Sequence, residues 1–174
     1  MTENPKKRFS HNHIDVAPLR RNGDFMEKKK ENPDILFLQD VYKSVSLRAD
    51  ILTSVLGKTE NDELKAWLSA AIDTFGEFAE RASRHLTALS AEAKELGMLE
   101  KIPSEISVNA SMMTDRCTPK IAELVIEGAV ASVSEYKEKI RDADRLGVSL
   151  EHIRLAGDVL SFHEETINKM RPYL

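Results

Sequence analysis

The chain has 174 residues, of which 41% are hydrophobic and 31% are charged, and its formal net charge is −4. This length suits one domain that buries its own core without help from disulfides or a structural metal. A single cysteine, Cys117, excludes an intramolecular disulfide and a paired-cysteine zinc site. Without a long apolar stretch or an apolar signal core, the chain is expected to be cytoplasmic and not to span a membrane.

The first 31 residues differ from the remainder in charge and in pattern. Positive side chains dominate as far as Glu31, whereas acidic side chains are in excess beyond it. Because no apolar periodicity is sustained there, residues 1–31 are predicted to form a flexible or irregular basic arm, and residues 32–174 a helical domain. Interspersed acidic residues and the lack of tyrosine or tryptophan argue against nucleic-acid binding by this arm.

Two helices are predicted in the first half of the domain. The first should begin at Asn32-Pro33-Asp34, where proline suits the first turn and the carboxylate favours the positive end of the helix dipole, and should end at Gly57. The second should begin near Asn61 and run to Leu96, before Gly97, because its apolar residues recur three or four apart over many turns.

Two further helices are predicted in the second half. The apolar residues before Cys117 recur at helical spacing, and this spacing continues beyond Pro119, which indicates a helix kinked at the proline. Thr118 should cap the second piece of this helix, which should run to about residue 142. The fourth helix should start at the cap residue Ser149 and end near Met170. Residues 97–118 could connect the helices as a hairpin or as a crossover, and the sequence leaves both open.

These elements predict an all-α fold, an antiparallel four-helix bundle with a long second helix and a kinked third helix. The helix pattern resembles the ferritin-like superfamily, whose bundles often hold two metal ions. A closer similarity links residues 34–174 to a family of small bacterial helical proteins with no assigned function. It lies in the segments Met112-Met113-Thr114-Asp115-Arg116-Cys117-Thr118, Ile121-Ala122-Glu123-Leu124-Val125-Ile126-Glu127-Gly128 and Phe162-His163-Glu164-Glu165.

A dinuclear ferritin-like site requires inward carboxylates and a Glu-x-x-His pair on two helices. At about 100 degrees per residue, the acidic residues of the first two helices project away from the apolar stripe, and Leu160 stands three residues before His163. The residues that still face inward or flank the core form a reduced set of ligands for a single metal ion, which could be zinc, iron or manganese. Its candidate ligands are His163, Glu164, Glu135 and His85. The alternative for His163 is a core histidine hydrogen-bonded to a neighbour.

Motifs for catalysis are missing from the sequence. There is no Gly-x-Ser-x-Gly turn or phosphate-binding glycine loop, and Cys117 falls in line with the apolar residues of its predicted helix. We therefore expect a protein that is not an enzyme and has no cofactor beyond a single transition metal.

Three functions stay open. The leading hypothesis is a protein-interaction or self-associating module, because Leu155 and Phe162 are predicted to project from the back of the fourth helix, where a protein partner or second copy would cover them. The alternative is a ferritin-like metal-binding protein with a reduced ligand set, acting in metal storage or oxidative stress. A weaker alternative is polyanion binding through the basic arm.

Overall fold

A computed structural model describes residues 32–93 and 117–174 of the chain. They form four helices, α1 (Pro33–Leu56), α2 (Asp62–Ala88), α3 (Thr118–Leu146) and α4 (Leu150–Met170), and a short 3-10 helix at Arg171–Tyr173. The two ranges contain no strand, so the all-α prediction is confirmed for them. The predicted arm, residues 1–31, and the first piece of the predicted kinked helix lie outside the described residues, and the polyanion hypothesis stays a prediction.

The starts of α1 and α2 are set by asparagine caps, as their sequences predict. The Asn32 side chain accepts a hydrogen bond from the Asp34 amide at 3.0 Å, and Pro33 occupies the first turn of α1. The Asn61 side chain accepts from the Leu64 amide at 2.8 Å. Each cap satisfies an amide that has no partner within the helix, which contributes about 0.5–2 kcal/mol.

Helix α2 ends at Ala88, well before the predicted end at Leu96. Ser90 adopts the left-handed conformation with φ of 56°. The amides of Ser90 and Ala91 donate to carbonyls of the last helical turn at 3.0 and 2.9 Å, the two hydrogen bonds of a Schellman motif. Glycine usually occupies that left-handed position, so the sequence pointed to Gly97 instead.

Helix α3 differs from its prediction at both ends. It begins at Thr118 with Cys117 in the cap position, so the prediction that Thr118 is the cap is wrong by one residue. Pro119 lies in the first turn, where its missing amide hydrogen costs nothing. The helix continues beyond residue 142 to Leu146 and stops at Gly147, whose φ of 76° suits glycine.

Helix α4 starts after Ser149 as predicted, but its inner face is rotated from the predicted one. With Leu155 and Phe162 on the outer face, as predicted, Ile153 and Leu160 would face inward, but both are only partly buried. Two polar residues, His152 and Thr166, are buried instead, because each has a hydrogen-bond partner inside the protein. The buried positions of α4 are His152, Leu155, Ala156, Val159, His163, Thr166 and Met170.

This rotation overturns the prediction that Leu155 projects outward. The Leu155 side chain is 1% exposed and belongs to the hydrophobic core. Phe162 is partly buried, and its ring centroid lies 5.1 Å from that of Phe75 and 6.0 Å from that of Phe78. These aromatic contacts join α2 to α4. Leu155 therefore lies in the described core, and Phe162 packs against it.

The contacts between helices define which ends lie together. Helix α1 packs mainly against α2, and α3 against α4. Asp34, at the start of α1, contacts Ser149 and His152 at the start of α4, and His85, near the end of α2, approaches Glu151. The start of α1, the end of α2 and the α3–α4 turn therefore share one end of the fold, called the His152 end below.

Helices α2 and α3 both finish at the His152 end. Because α3 has 29 residues, it spans about 43 Å at 1.5 Å per residue and must begin at the opposite end. Residues 94–116, which connect α2 to α3, lie outside the described residues, so the choice between a hairpin and a crossover stays open. A full antiparallel bundle of the ferritin type stays a prediction. Within residues 32–93 and 117–174, every helix is too short or too polar to traverse a lipid bilayer.

Candidate metal centre and buried polar residues

The four predicted metal ligands do not come together. His163 lies in the core with 2% exposure, whereas Glu164 and Glu135 lie at the surface and pair with Lys137 and Lys139 at 3.1 and 3.3 Å. Among the described residues, the group that could hold a metal ion contains only His85 from the predicted set.

His163 is a core histidine without a partner for one of its ring nitrogens. Its ring centroid lies 5.2 Å from that of Phe75 and 5.9 Å from that of Tyr136. No hydrogen bond reaches its Nε2 from the described part of the chain. Burial, assisted by the positive charge of Arg48, lowers the pKa of His163 to about 3, so the imidazole is neutral at physiological pH.

A different cluster, His85, Glu151 and His152, lies at the His152 end. One ligand atom from each of these residues can be chosen so that all lie within 4.8 Å of one another. The two imidazole centroids are 4.9 Å apart, and His85 Nδ1 lies 3.9 Å from Glu151 Oε1. In tetrahedral zinc sites with bonds of about 2.0–2.2 Å, ligand atoms are about 3.3–3.6 Å apart, so the cluster must contract by about 1 Å.

His152 is held in place by residues around it. Its Nδ1 lies 2.6 Å from Asp34 Oδ1 and 2.8 Å from Ser149 Oγ, and the residue is 6% exposed. Contact with the carboxylate favours the tautomer that carries its hydrogen on Nδ1. This leaves the lone pair of Nε2 for a metal ion, the arrangement that orients most histidine ligands in metalloproteins.

Asp34 also caps α4 from a distant position in the chain. Its Oδ1 accepts a hydrogen bond from the Ser149 amide at 2.8 Å. Burial alone would raise the pKa of Asp34, but the hydrogen bonds from Ser149 and His152 outweigh it and hold that pKa below its ordinary value of 3.8. The carboxylate therefore stays ionised at neutral pH, beside the positive end of the α4 dipole.

Sequence reasoning missed Glu151 and His152. They are adjacent in sequence, so they do not form the Glu-x-x-His pair that was sought, and the predicted rotation of α4 put His152 off the inner stripe. A useful signal was present nonetheless, because a carboxylate and an imidazole lie two and three residues after the cap residue Ser149. His85 is the predicted ligand that belongs to this cluster, and its side chain is 26% exposed.

Comparisons with known proteins show a likeness in fold. No family model matches the chain, and no curated protein matches it. Among solved structures, the chain is similar to one described as "YcfI, a putative structural protein from Rhodopseudomonas palustris", at 16% identity and a TM-score of 0.64. The match covers 84% of this chain and 98% of that one. At this identity the likeness supports the all-helical fold alone, and membership of the ferritin-like superfamily stays a prediction.

Proposed function

We propose that this protein binds one divalent transition-metal ion through His85, Glu151 and His152, and that zinc suits this site best. The observation that supports the proposal is the convergence of two imidazoles and a carboxylate within 4.8 Å, one imidazole being oriented by Asp34. Two nitrogen ligands and one oxygen ligand form a donor set that zinc accepts readily. The fourth tetrahedral position is left for water or another ligand.

The site lies between the end of α2 and the start of α4. His85 belongs to the last turns of α2, whose carbonyl end favours a cation, and Glu151 lies in the first turn of α4. An ion between them would cross-link α2 to α4. Because a ligand that binds only the folded state stabilises it, zinc at about 100 times its Kd adds about 2.7 kcal/mol.

We expect wild-type protein to bind one zinc ion per chain at this site, and His152→Ala to weaken that binding by more than about 100-fold, since losing even an outer partner costs about 10–100-fold. Calorimetric titration of chelator-treated protein measures the affinity, and thermal unfolding with and without zinc measures the added stability. Glu151→Gln should give a loss in the same direction.

The matched control removes histidines outside the cluster. His11→Ala/His13→Ala deletes the two imidazoles of the N-terminal segment and should leave the affinity unchanged. Equal zinc affinity in wild type and His152→Ala, or a loss confined to the double variant, would contradict the proposal.

Self-association is a second candidate, favoured by exposed leucines at the His152 end. Leu36, Leu146 and Leu150 are 46, 67 and 62% exposed and come from three helices. We propose a second copy of this chain as the occupant, because a two-fold contact can place one such patch against itself. Leu155 and Phe162, first assigned to this role, are packed inside the fold and do not support it.

Leu146→Ser/Leu150→Ser is expected to convert a dimer into a monomer in light-scattering measurements over a range of concentrations. In the variant, serine replaces both leucines, so the dimer buries less apolar surface. Each Å² of apolar surface that is no longer buried weakens the dimer by about 25 cal/mol. Leu174→Ser changes a leucine of similar exposure, 65%, at the opposite end and should have no effect. A wild-type protein that is monomeric throughout would remove this candidate.

A further inference from the structure

Side chains from all four helices line a half-open cavity of about 30 Å³ beside the core. Most of its wall is apolar, with Leu52, Val55 and Val125 among its side chains. Its polar side chains are Arg48, His163 and Thr166. Since about 10–15 Å³ admits one water-sized group, the space admits two to three such groups.

His163 lines this cavity and carries a buried polar atom without a hydrogen-bond partner among the described residues. The residue is 2% exposed, and the atom is Nε2 of its ring. Leaving such an atom unpaired is unfavourable, which indicates an occupant that can pair with it. Because the imidazole is neutral, Nε2 can carry a hydrogen and donate it.

Arg48 brings a positive charge to the same wall. No carboxylate of residues 32–93 and 117–174 forms an ion pair with it within 4.0 Å. Burial lowers the pKa of Arg48 even though Glu135 nearby favours its charged form. The Glu135 carboxylate is paired with Lys139 at 3.3 Å, so an anion in the cavity would be a closer partner for the charge of Arg48.

We propose that this cavity binds a small carboxylate, of the size of formate or acetate. Its oxygens accept hydrogen bonds from the Arg48 guanidinium and from His163 Nε2–H, and the methyl group of acetate faces the aliphatic wall. A guanidinium presents paired donors that match a carboxylate, and an apolar wall favours a carbon-bearing anion over a hydrated inorganic one. Water alone would satisfy His163 but would not neutralise Arg48. This site shares no residue with the His85, Glu151 and His152 cluster.

The test follows the imidazole nitrogens of His163 by NMR while sodium acetate replaces sodium chloride at constant ionic strength. The full chain is used free of metal, and the His163 signals are identified by their loss in His163→Gln. We expect a saturable shift of Nε2 in wild type and at least a tenfold weaker response in Arg48→Gln, because a charge-assisted hydrogen bond is removed. Arg84→Gln, which alters an arginine whose side chain is 69% exposed, should bind as wild type does.

Circular dichroism establishes whether Arg48→Gln folds. If it does not, Arg48→Lys takes its place, because lysine keeps the charge but loses the paired donors, and an intermediate affinity is expected. The proposal is overturned if wild type shows no saturable shift, if Arg48→Gln folds and binds equally well, or if chloride titrated against fluoride gives the same shift as acetate. That last result would assign the site to a halide instead.

Discussion

Leu155→Ala is expected to lower the free energy of unfolding by about 2–5 kcal/mol, the usual cost of truncating a buried leucine. The side chain is 1% exposed in the hydrophobic core, so its removal leaves a cavity that its neighbours fill only in part. A loss of this size is a large share of the stability of an ordinary domain, which is about 5–15 kcal/mol.

Leu150→Ala is the matched control for this prediction. Leu150 lies on the same helix, but its side chain is 62% exposed, so the cost should be about 0.5 kcal/mol or less. Urea unfolding of both variants measures the difference, in the presence of a chelator and at a concentration at which the protein is monomeric, so that the patch proposed for self-association does not contribute. Equal costs, or a larger cost at Leu150, would restore the rotation of α4 expected from its apolar periodicity.

The starts of the helices could be predicted because the residues that fix them are adjacent in sequence. Asn32 and Asn61 accept hydrogen bonds from amides two or three residues ahead, so local chemistry decides where α1 and α2 begin. The end of α2 could not be predicted in this way. Ser90 occupies a left-handed position that usually signals glycine, and the apolar spacing continues beyond it without interruption.

The rotation of α4 escaped prediction because periodicity ranks residues by hydrophobicity alone. His152 and Thr166 are buried because Asp34 and the Phe162 carbonyl accept their hydrogen bonds. Asp34 is 118 residues away from His152 in sequence, so no local sequence pattern predicts this contact. Once paired, both polar side chains can face inward, and Leu155 turns inward with them.

The ligands of the candidate metal centre could not be predicted from local sequence patterns either. The inference that carboxylates at the core axis are too few for a dinuclear site of the ferritin type stays a prediction. The cluster of His85, Glu151 and His152 depends on three helix ends meeting, and the sequence left the path between α2 and α3 open. The positions of these ligands therefore depend on how distant helices pack together. The apolar periodicity within one helix is not enough to predict them.

Asp34→Ala is expected to destabilise the protein by about 1–3 kcal/mol, because it leaves the Ser149 amide without its acceptor and leaves His152 Nδ1 with only the Ser149 hydroxyl. Zinc affinity should fall together with stability, by about 10–100-fold, since His152 loses the carboxylate that orients it. Asp62→Asn is the control, because that carboxylate also lies in a first helical turn but its side chain is 98% exposed, and a change below about 0.5 kcal/mol is expected.

The pH dependence of this prediction follows from the direction of the pKa shift. The folded-state pKa of Asp34 is below 3.8, so its stabilising contribution is complete above pH 3.8 and is lost as pH falls through the lower folded value. The comparison is best made at pH 5 and below, where this loss occurs. Denaturant unfolding of wild type and Asp34→Ala should show a difference that is constant from pH 5 to pH 4 and shrinks towards pH 2. A difference that stays constant to pH 2 would mean that the ionised carboxylate does not support the His152 end.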